Sequence, residues 1–369
     1  MKITACQRVS GIGSLAEIAL YILLFSVSAV TRGYAADQHA AHDGALAVMP
    51  VLYYMPDTKM GYGAMGGYFK RLPGAQQPAN IHGIFSYTEL KQFNALLMGE
   101  YYPSDRKTYF MGYVQYLHFP DYFFGIGNRA GDSSEKYTAN TLIFELNPAY
   151  YLSDKFRAGP KLYYRKEELA GVEEGKALSR GTIPGVDGLA ELGLGFSLTY
   201  DGRDNVLFSR KGYFLETSYL SFNKPFSRDH QYGILRLDFR KFFPFPGGSV
   251  LAFQSVGEFG HGEVPFQMLP RLGNVLRGYK ESRYRDKNML MAQGEYKFKL
   301  VKNIMGTLFA GAGNVYEQFG RVEMSNAKSA GGGGLRVRLS RKEEINLRID
   351  YGRNSDGGGE FYFMIMEAF

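Results

Sequence analysis

The chain has 369 residues, a formal net charge of +7, 28 Tyr, 28 Phe, 46 Gly, no Trp and a single cysteine, Cys6. One cysteine excludes an intramolecular disulfide framework and a cysteine-rich zinc site. The mild positive charge forms no compact basic patch, so nucleic acid is not an expected partner. Glycine and aromatic residues spread through alternating segments favour a β architecture.

The N-terminus has the pattern of a secretory signal peptide, predicted over residues 1–36. Lys2 and Arg8 precede an apolar run, and small residues suited to cleavage follow it. Residues 37–44 form a polar segment too short to fold alone. No later apolar stretch reaches the roughly 18 residues that a membrane-spanning helix needs.

Sixteen candidate strands occupy residues 45–369, each near the length of about 9–11 residues that a tilted membrane strand requires. They are expected at 45–55, 61–70, 80–90, 92–102, 107–118, 136–151, 156–166, 189–201, 212–222, 231–243, 248–260, 287–300, 304–316, 327–340, 343–353 and 360–369. In the strand over 287–300, Glu295 and Lys297 alternate with apolar or small residues. A period of two with charges on one side indicates a strand with one apolar and one polar face.

The connections between these strands alternate in length. Short ones are expected at one end, for example 153–155 and 301–303, and long ones at the other, for example 167–188 and 261–286. This asymmetry is typical of an outer-membrane barrel. The predicted fold is therefore all-β, a sixteen-stranded antiparallel transmembrane β-barrel. A soluble β-sandwich, which also alternates, is the alternative.

Three stretches together resemble the bacterial surface antigen family, the barrel of the BamA/TamA outer-membrane assembly superfamily. The first runs from Leu198 to Phe222 and contains Asp201, Arg203 and Asp204, followed by Gly212. The second runs from Val275 to Leu300 and contains Arg277-Gly278-Tyr279, Arg285-Asp286 and the pair Glu295-Tyr296. The third is the segment GTLFAGAGNVY, residues 306–316. The resemblance covers the barrel. Because only residues 37–44 separate the predicted signal peptide from the first strand, a member without the periplasmic POTRA domains is expected.

The resemblance also implies that the sixth outer loop folds into the lumen, where Arg277 pairs with Glu295. A guanidinium and a carboxylate in a partly dewatered lumen can form a bidentate, charge-assisted pair. Gly278 would let the loop turn tightly, and Tyr279 would pack on the wall. The family often has an aspartate where this chain has Gly311, so either a second acid comes from elsewhere, with Asp350 and Glu216 as candidates, or the lock is weaker.

Two further sets of residues allow more than one interpretation of their role. Asp201, Arg203 and Asp204, with Gly212, are expected to build a periplasmic turn, although the acids alone also suggest a metal or catalytic site. The terminal Phe369, placed on the closing strand, resembles the recognition signal read by the outer-membrane assembly machinery. No metal site, cofactor or catalytic nucleophile is predicted.

The expected location is the bacterial outer membrane, with membrane lipid as a partner. The first functional hypothesis is a non-enzymatic role in outer-membrane biogenesis. In it, the seam between the first and last strands opens to insert or translocate a client protein, with or without a separate periplasmic partner. The alternatives are a plugged passive pore for small solutes and an outer-membrane lipid hydrolase.

Overall fold

The computed structural model describes residues 45–70, 79–103, 107–131, 133–205, 208–227, 230–318, 320, 324–338, 346–365 and 367–369. The predicted signal peptide and residues 37–44 lie outside this part of the chain. Within the described residues, no helix is long and apolar enough to cross a membrane.

Sixteen antiparallel strands close into one barrel in which each strand pairs with its neighbours in sequence, and the first pairs with the last. They are β1 Ala45–Met55, β2 Lys59–Lys70, β3 Ala79–Thr88, β4 Phe93–Tyr101, β5 Thr108–Phe123, β6 Glu135–Ser153, β7 Phe156–Ala170, β8 Leu189–Asp201, β9 Gly212–Phe222, β10 Tyr232–Phe245, β11 Ser249–Gly262, β12 Asn288–Val301, β13 Ile304–Tyr316, β14 Lys328–Arg338, β15 Asn346–Asn354 and β16 Gly359–Ile365. The prediction of a sixteen-stranded barrel is confirmed.

The two faces of the barrel wall differ as the alternation predicts. On β8, Leu194 and Phe196 are 43% and 45% exposed, whereas Ser197 and Thr199 are 5% and 4% exposed. Because successive side chains of a barrel strand point alternately towards and away from the axis, the exposed apolar residues define the outer face. The buried polar residues define the inner face.

The two ends of the barrel also differ. One end, here the long-loop end, carries residues 171–188 between β7 and β8 and residues 263–287 between β11 and β12. The other end, the short-turn end, carries the two-residue connection 154–155 and the turn Pro246–Gly248. Since hairpin turns need few residues, the extra sequence is concentrated where it can cover one mouth of the barrel.

The last strand is shorter than expected. The sequence predicts a strand over 360–369, but β16 ends at Ile365. Glu367 and Phe369 lie beyond it and turn towards the inner face, where Glu367 contacts Arg336 of β14. The assignment of Phe369 to the closing strand is therefore wrong, because the buried ion pair of Glu367 draws the chain end away from the wall. Its role as an assembly signal stays a prediction.

Candidate functional site

The longest connection, residues 263–287, bears the predicted arginine and contacts inner-face residues on several strands. Arg277 is 7% exposed. Its guanidinium donates to the Asp350 carboxylate at 2.6 Å and to the Glu295 carboxylate at 2.5 Å. It also lies over the ring of Phe309, 3.7 Å from the centroid. Glu295 is on β12, Phe309 on β13 and Asp350 on β15, so one loop residue contacts three strands.

These contacts belong to a larger charge cluster, which comprises Arg277, Glu295, Lys297, Arg336, Asp350 and Glu367. Arg336 reaches Asp350 at 2.5 Å and Glu367 at 2.9 Å, and lies 3.4 Å from Glu295. Lys297 lies 3.4 Å from Glu295 and 3.0 Å from Glu367. Each carboxylate thus has at least two cationic partners, which is what burial of several charges requires.

The sequence leaves two candidates for the second acid that pairs with Arg277, and the structure places Asp350 there. The other candidate, Glu216, lies on β9 opposite Asp238 in the strand register, away from the charge cluster. Gly311, which stands where related barrels often have an aspartate, faces the loop. A Cβ there would lie 2.7 Å from the Gln293 Cβ and 3.0 Å from Leu276 Cδ1. A glycine at this position makes room for the loop leucine.

Gly278 and Tyr279 hold the loop against the end of the barrel wall. Gly278 has a φ of +106°, and a Cβ there would lie 3.1 Å from the Cβ of Ala330 and 3.4 Å from the backbone of Gly352. Both the dihedral angle and the close approach require glycine. Its N–H donates to the Tyr362 hydroxyl at 2.9 Å, and that hydroxyl donates to the Tyr279 carbonyl at 3.2 Å.

The same loop also contacts the first hairpin. The Asp57 carboxylate, in the turn between β1 and β2, accepts from the Glu281 N–H at 2.7 Å and from the Ser282 hydroxyl at 3.3 Å. Loss of solvent around Asp57 raises the pKa of its carboxyl to about 7, and the Glu281 and Asp121 carboxylates add to the rise. The Glu281 N–H and the Lys280 ammonium oppose it. Neither Asp57 nor Tyr362 was identified from the sequence, because both contacts join positions remote along the chain.

The opposite side of the loop lies against other strands. Phe266 is fully buried and packs edge-on against Phe123 of β5 and Tyr137 of β6, with ring centroids 5.4 Å and 5.7 Å away. Its N–H donates to the carbonyl of Pro184, in the β7–β8 connection, at 2.9 Å. The loop therefore bridges the wall formed by β12–β16 and the wall formed by β5–β7.

The segment after β8 contains the predicted turn motif. Arg203 donates to both oxygens of Asp201, at 2.9 Å and 2.7 Å, and Asp204 accepts from the backbone N–H groups of Arg210 and Lys211. Gly212 has a φ of +102° and lies against the Gly202 carbonyl, where a Cβ would clash. Among the described residues, no group of three or more His, Cys, Asp or Glu side chains is placed to hold a metal ion.

Comparison with known proteins gives a family. A family profile described as the Omp85 superfamily domain matches residues 102–369. The chain belongs to the Omp85 superfamily. A search of curated proteins finds no match.

Solved structures agree with this family at the level of the fold. The chain is similar to BamA from Haemophilus ducreyi lacking POTRA domains 1–3, with a TM-score of 0.62 and 14% identity, over 88% of this chain and 70% of that one. It is also similar to CdiB from Acinetobacter baumannii, with a TM-score of 0.56 and 12% identity, over 88% of this chain and 59% of that one. At these identities the likeness supports the barrel architecture.

Proposed function

We propose that this Omp85 barrel resides in the bacterial outer membrane and inserts or translocates client polypeptides, without enzymatic activity, through the seam between β1 and β16. The pairing of this seam carries the proposal. Among the described residues, β1 and β16 share one registered Cα pair, Tyr54 with Phe363. Every other neighbouring pair of strands shares seven or more.

The weak pairing leaves one edge of β1 available. If the register of Tyr54 and Phe363 continued, residues 367–369 would face Val48–Pro50. Instead, residues 367–369 turn inward, where Glu367 is held by Arg336 and Lys297. Among the described residues, no further pair joins this half of β1 to β16, so its backbone N–H and C=O groups are a template to which an incoming client strand can add.

The loop over residues 263–287 contacts both sides of the same seam at the long-loop end. It holds β16 through Tyr362 and the β1–β2 turn through Asp57. Both flanks of the seam are therefore tied to one loop at this end, while the half near the short-turn end has no such tie among the described residues. We infer that opening begins at the short-turn end and that release of the loop is required for full separation.

The loop also accounts for how the barrel would stay closed to solutes. Its contacts with β5, β6, β12, β13 and β15 support a position across the lumen. We infer that it acts as a plug, so the wild-type protein should show low conductance in planar bilayers. A large, steady conductance would instead favour the passive-pore function.

The outer face supports the membrane location. Large apolar side chains such as Phe85 on β3 and Leu308 on β13, 59% and 58% exposed, lie on the outer face of strands that are six positions apart around the barrel. Exposed apolar surface around a whole barrel is unfavourable in water and favourable in lipid. The expected partners are outer-membrane lipid, client barrel proteins and a separate periplasmic partner.

Site-specific photocrosslinking in cells tests the proposal. A crosslinker at Val48, which is 68% exposed on the half of β1 for which the described residues show no pair with β16, should capture nascent outer-membrane proteins. The matched control is Leu215, which is 41% exposed on β9 and lies in a fully paired part of the wall. Equal capture from both positions, or none from Val48 while a known assembly barrel in the same cells captures clients, would contradict the proposed function.

A further inference from the structure

One lysine stands among aromatic residues on the outer face of the barrel. Lys241 lies on β10 with Phe239 and Phe243 on the same face, and its direct cross-strand neighbours are Tyr213 on β9 and Phe253 on β11. The ammonium is 5.2 Å from the ring centroid of Tyr213 and 5.4 Å from that of Phe243. Among the described residues, no carboxylate lies within ion-pairing distance of Lys241 Nζ.

A groove of about 580 Å³ opens beside this lysine on the outer face. Its walls are formed by Phe239, Phe243, Leu251 and Phe253, and its floor includes Gly294 of β12. On the outer face, Gly294 is registered opposite Phe253 of β11 and the small Ala310 of β13. A Cβ at Gly294 would meet only the Ala252 carbonyl oxygen, at 3.9 Å, so the groove exists because this residue lacks a side chain.

The position of Lys241 along the barrel suits a lipid headgroup. It lies close to the end of β10 at Phe245, next to the turn Pro246–Gly248 at the short-turn end. A cation on the outer face is costly in the middle of the bilayer and cheap near its surface, where a lysine stem can extend along apolar residues. An unpaired ammonium above an apolar groove is complementary to an anionic group that carries a hydrocarbon chain.

We propose that this groove binds one anionic glycerophospholipid, with an acyl chain over Gly294 between the phenylalanine walls and the phosphate on Lys241 Nζ. The rings of Tyr213 and Phe243 hold the ammonium at the mouth of the groove through cation–π contacts. The inference rests on the proposed membrane location and is independent of the β1–β16 seam, which lies at other strands.

Native mass spectrometry of the purified protein in nanodiscs tests the site. The probes are phosphatidylglycerol and phosphatidylcholine in equal amounts, and the readout is which lipid stays bound after release from the disc. Wild type should retain one phosphatidylglycerol. Lys241→Gln should lower the preference for phosphatidylglycerol by about fivefold, the effect of one lysine near a charged membrane surface. Gly294→Leu should reduce retention of both lipids because it fills the groove.

Two control variants distinguish a specific lipid-binding site from nonspecific attraction of anionic lipid to the barrel surface. Lys302→Gln removes a cation from the β12–β13 turn at the same end of the barrel, and Gly83→Leu adds a side chain to the outer face of β3, where a Cβ has room. Both should behave as wild type. The site is refuted if Lys241→Gln keeps the wild-type preference, if Lys302→Gln lowers it equally, or if Gly83→Leu reduces retention as much as Gly294→Leu.

Folding and function are read out separately. Heat-modifiable migration on gels reports whether each variant is a folded barrel, and Lys241→Arg, which keeps the charge, should restore the preference. Vesicle flotation reports membrane association for every variant. Failure of wild type to associate with vesicles would overturn the membrane location itself, whereas loss of lipid preference with normal flotation concerns the groove alone.

Discussion

Replacing Arg277 with methionine should release the 263–287 loop. The substitution removes the bonds to Asp350 and Glu295 and the contact over Phe309 while keeping an unbranched apolar stem. Breaking a buried ion pair costs about 3–5 kcal/mol when the remaining charge is left alone. Here Arg336 still neutralises both acids, so the expected loss is smaller, about 2–3 kcal/mol.

That loss should appear as faster opening of the loop. Since about 1.4 kcal/mol corresponds to a factor of ten, the opening equilibrium should rise roughly 30- to 150-fold. Hydrogen exchange measured by mass spectrometry on the reconstituted protein reads this directly. Peptides covering residues 272–284 should lose protection by that factor, while peptides from β6 and β10, whose amides are held by strand pairing, should not change.

A control variant and a double variant make this measurement decisive. Arg283→Met removes a second arginine of the same loop, one that donates to the Gly131 carbonyl and lies over Phe124, and it should alter exchange less than about fivefold. Arg277→Met combined with Asp350→Asn should be less destabilising than the sum of the two single changes. Unchanged protection in Arg277→Met, or strictly additive effects, would refute the ion-pair lock.

Two other changes probe the loop contacts. Asp57→Asn should stabilise the protein relative to wild type, increasingly as pH rises from 4 to 8. The pKa of the Asp57 carboxyl is about 7 in the folded protein and 3.8 as its ordinary value, so the folded protein binds this proton more tightly. The stability that the bound proton contributes to wild type is therefore lost as pH rises through 7. Because Asp57 keeps some contact with solvent, the free energy of unfolding should rise by about 1–2 kcal/mol at pH 8, which a melting-temperature difference would report. A stabilisation that shrinks with rising pH would contradict this reasoning. Gly311→Asp introduces the acid common in related barrels, and it should destabilise the loop by about 1–3 kcal/mol because its Cβ crowds Gln293 and Leu276. Gly131→Asp, where a Cβ has open space, should have little effect. Stronger hydrogen-exchange protection of the loop in Gly311→Asp would contradict the packing argument.

The barrel could be predicted from local pattern because each strand must present one face to lipid and one to the interior. This constraint places Glu295 and Lys297 on one face within the sequence itself, and it sets most strand boundaries to within a few residues. β5 and β7 run further than predicted towards the long-loop end, to Phe123 and Ala170. The added residues of β5 include the buried Phe123, which packs against Phe266 of the 263–287 loop, a contact that the local sequence pattern does not show.

The site was predictable only in part. Arg277 and Glu295 were paired through the family resemblance, but the places of Arg336 and Glu367 depend on which strands lie side by side across the interior. A period of two shows that Arg336 faces inward, without showing which acids it meets. The inward turn of the chain end was missed because residues 360–369 alternate well enough to continue as a strand, and the ion pairs of Glu367 outweigh that local preference.

The most direct test of the central claim is to lock the seam. Tyr54→Cys with Phe363→Cys places two thiols at the one registered Cα pair of β1 and β16, a geometry compatible with a disulfide. Client insertion into proteoliposomes containing the purified protein is then followed under oxidising and reducing conditions. A matched pair on β9 and β10, Leu215→Cys with Phe239→Cys, controls for crosslinking itself. Insertion that stops when the seam is oxidised and returns on reduction is the predicted result, and insertion that continues through a locked seam would contradict it.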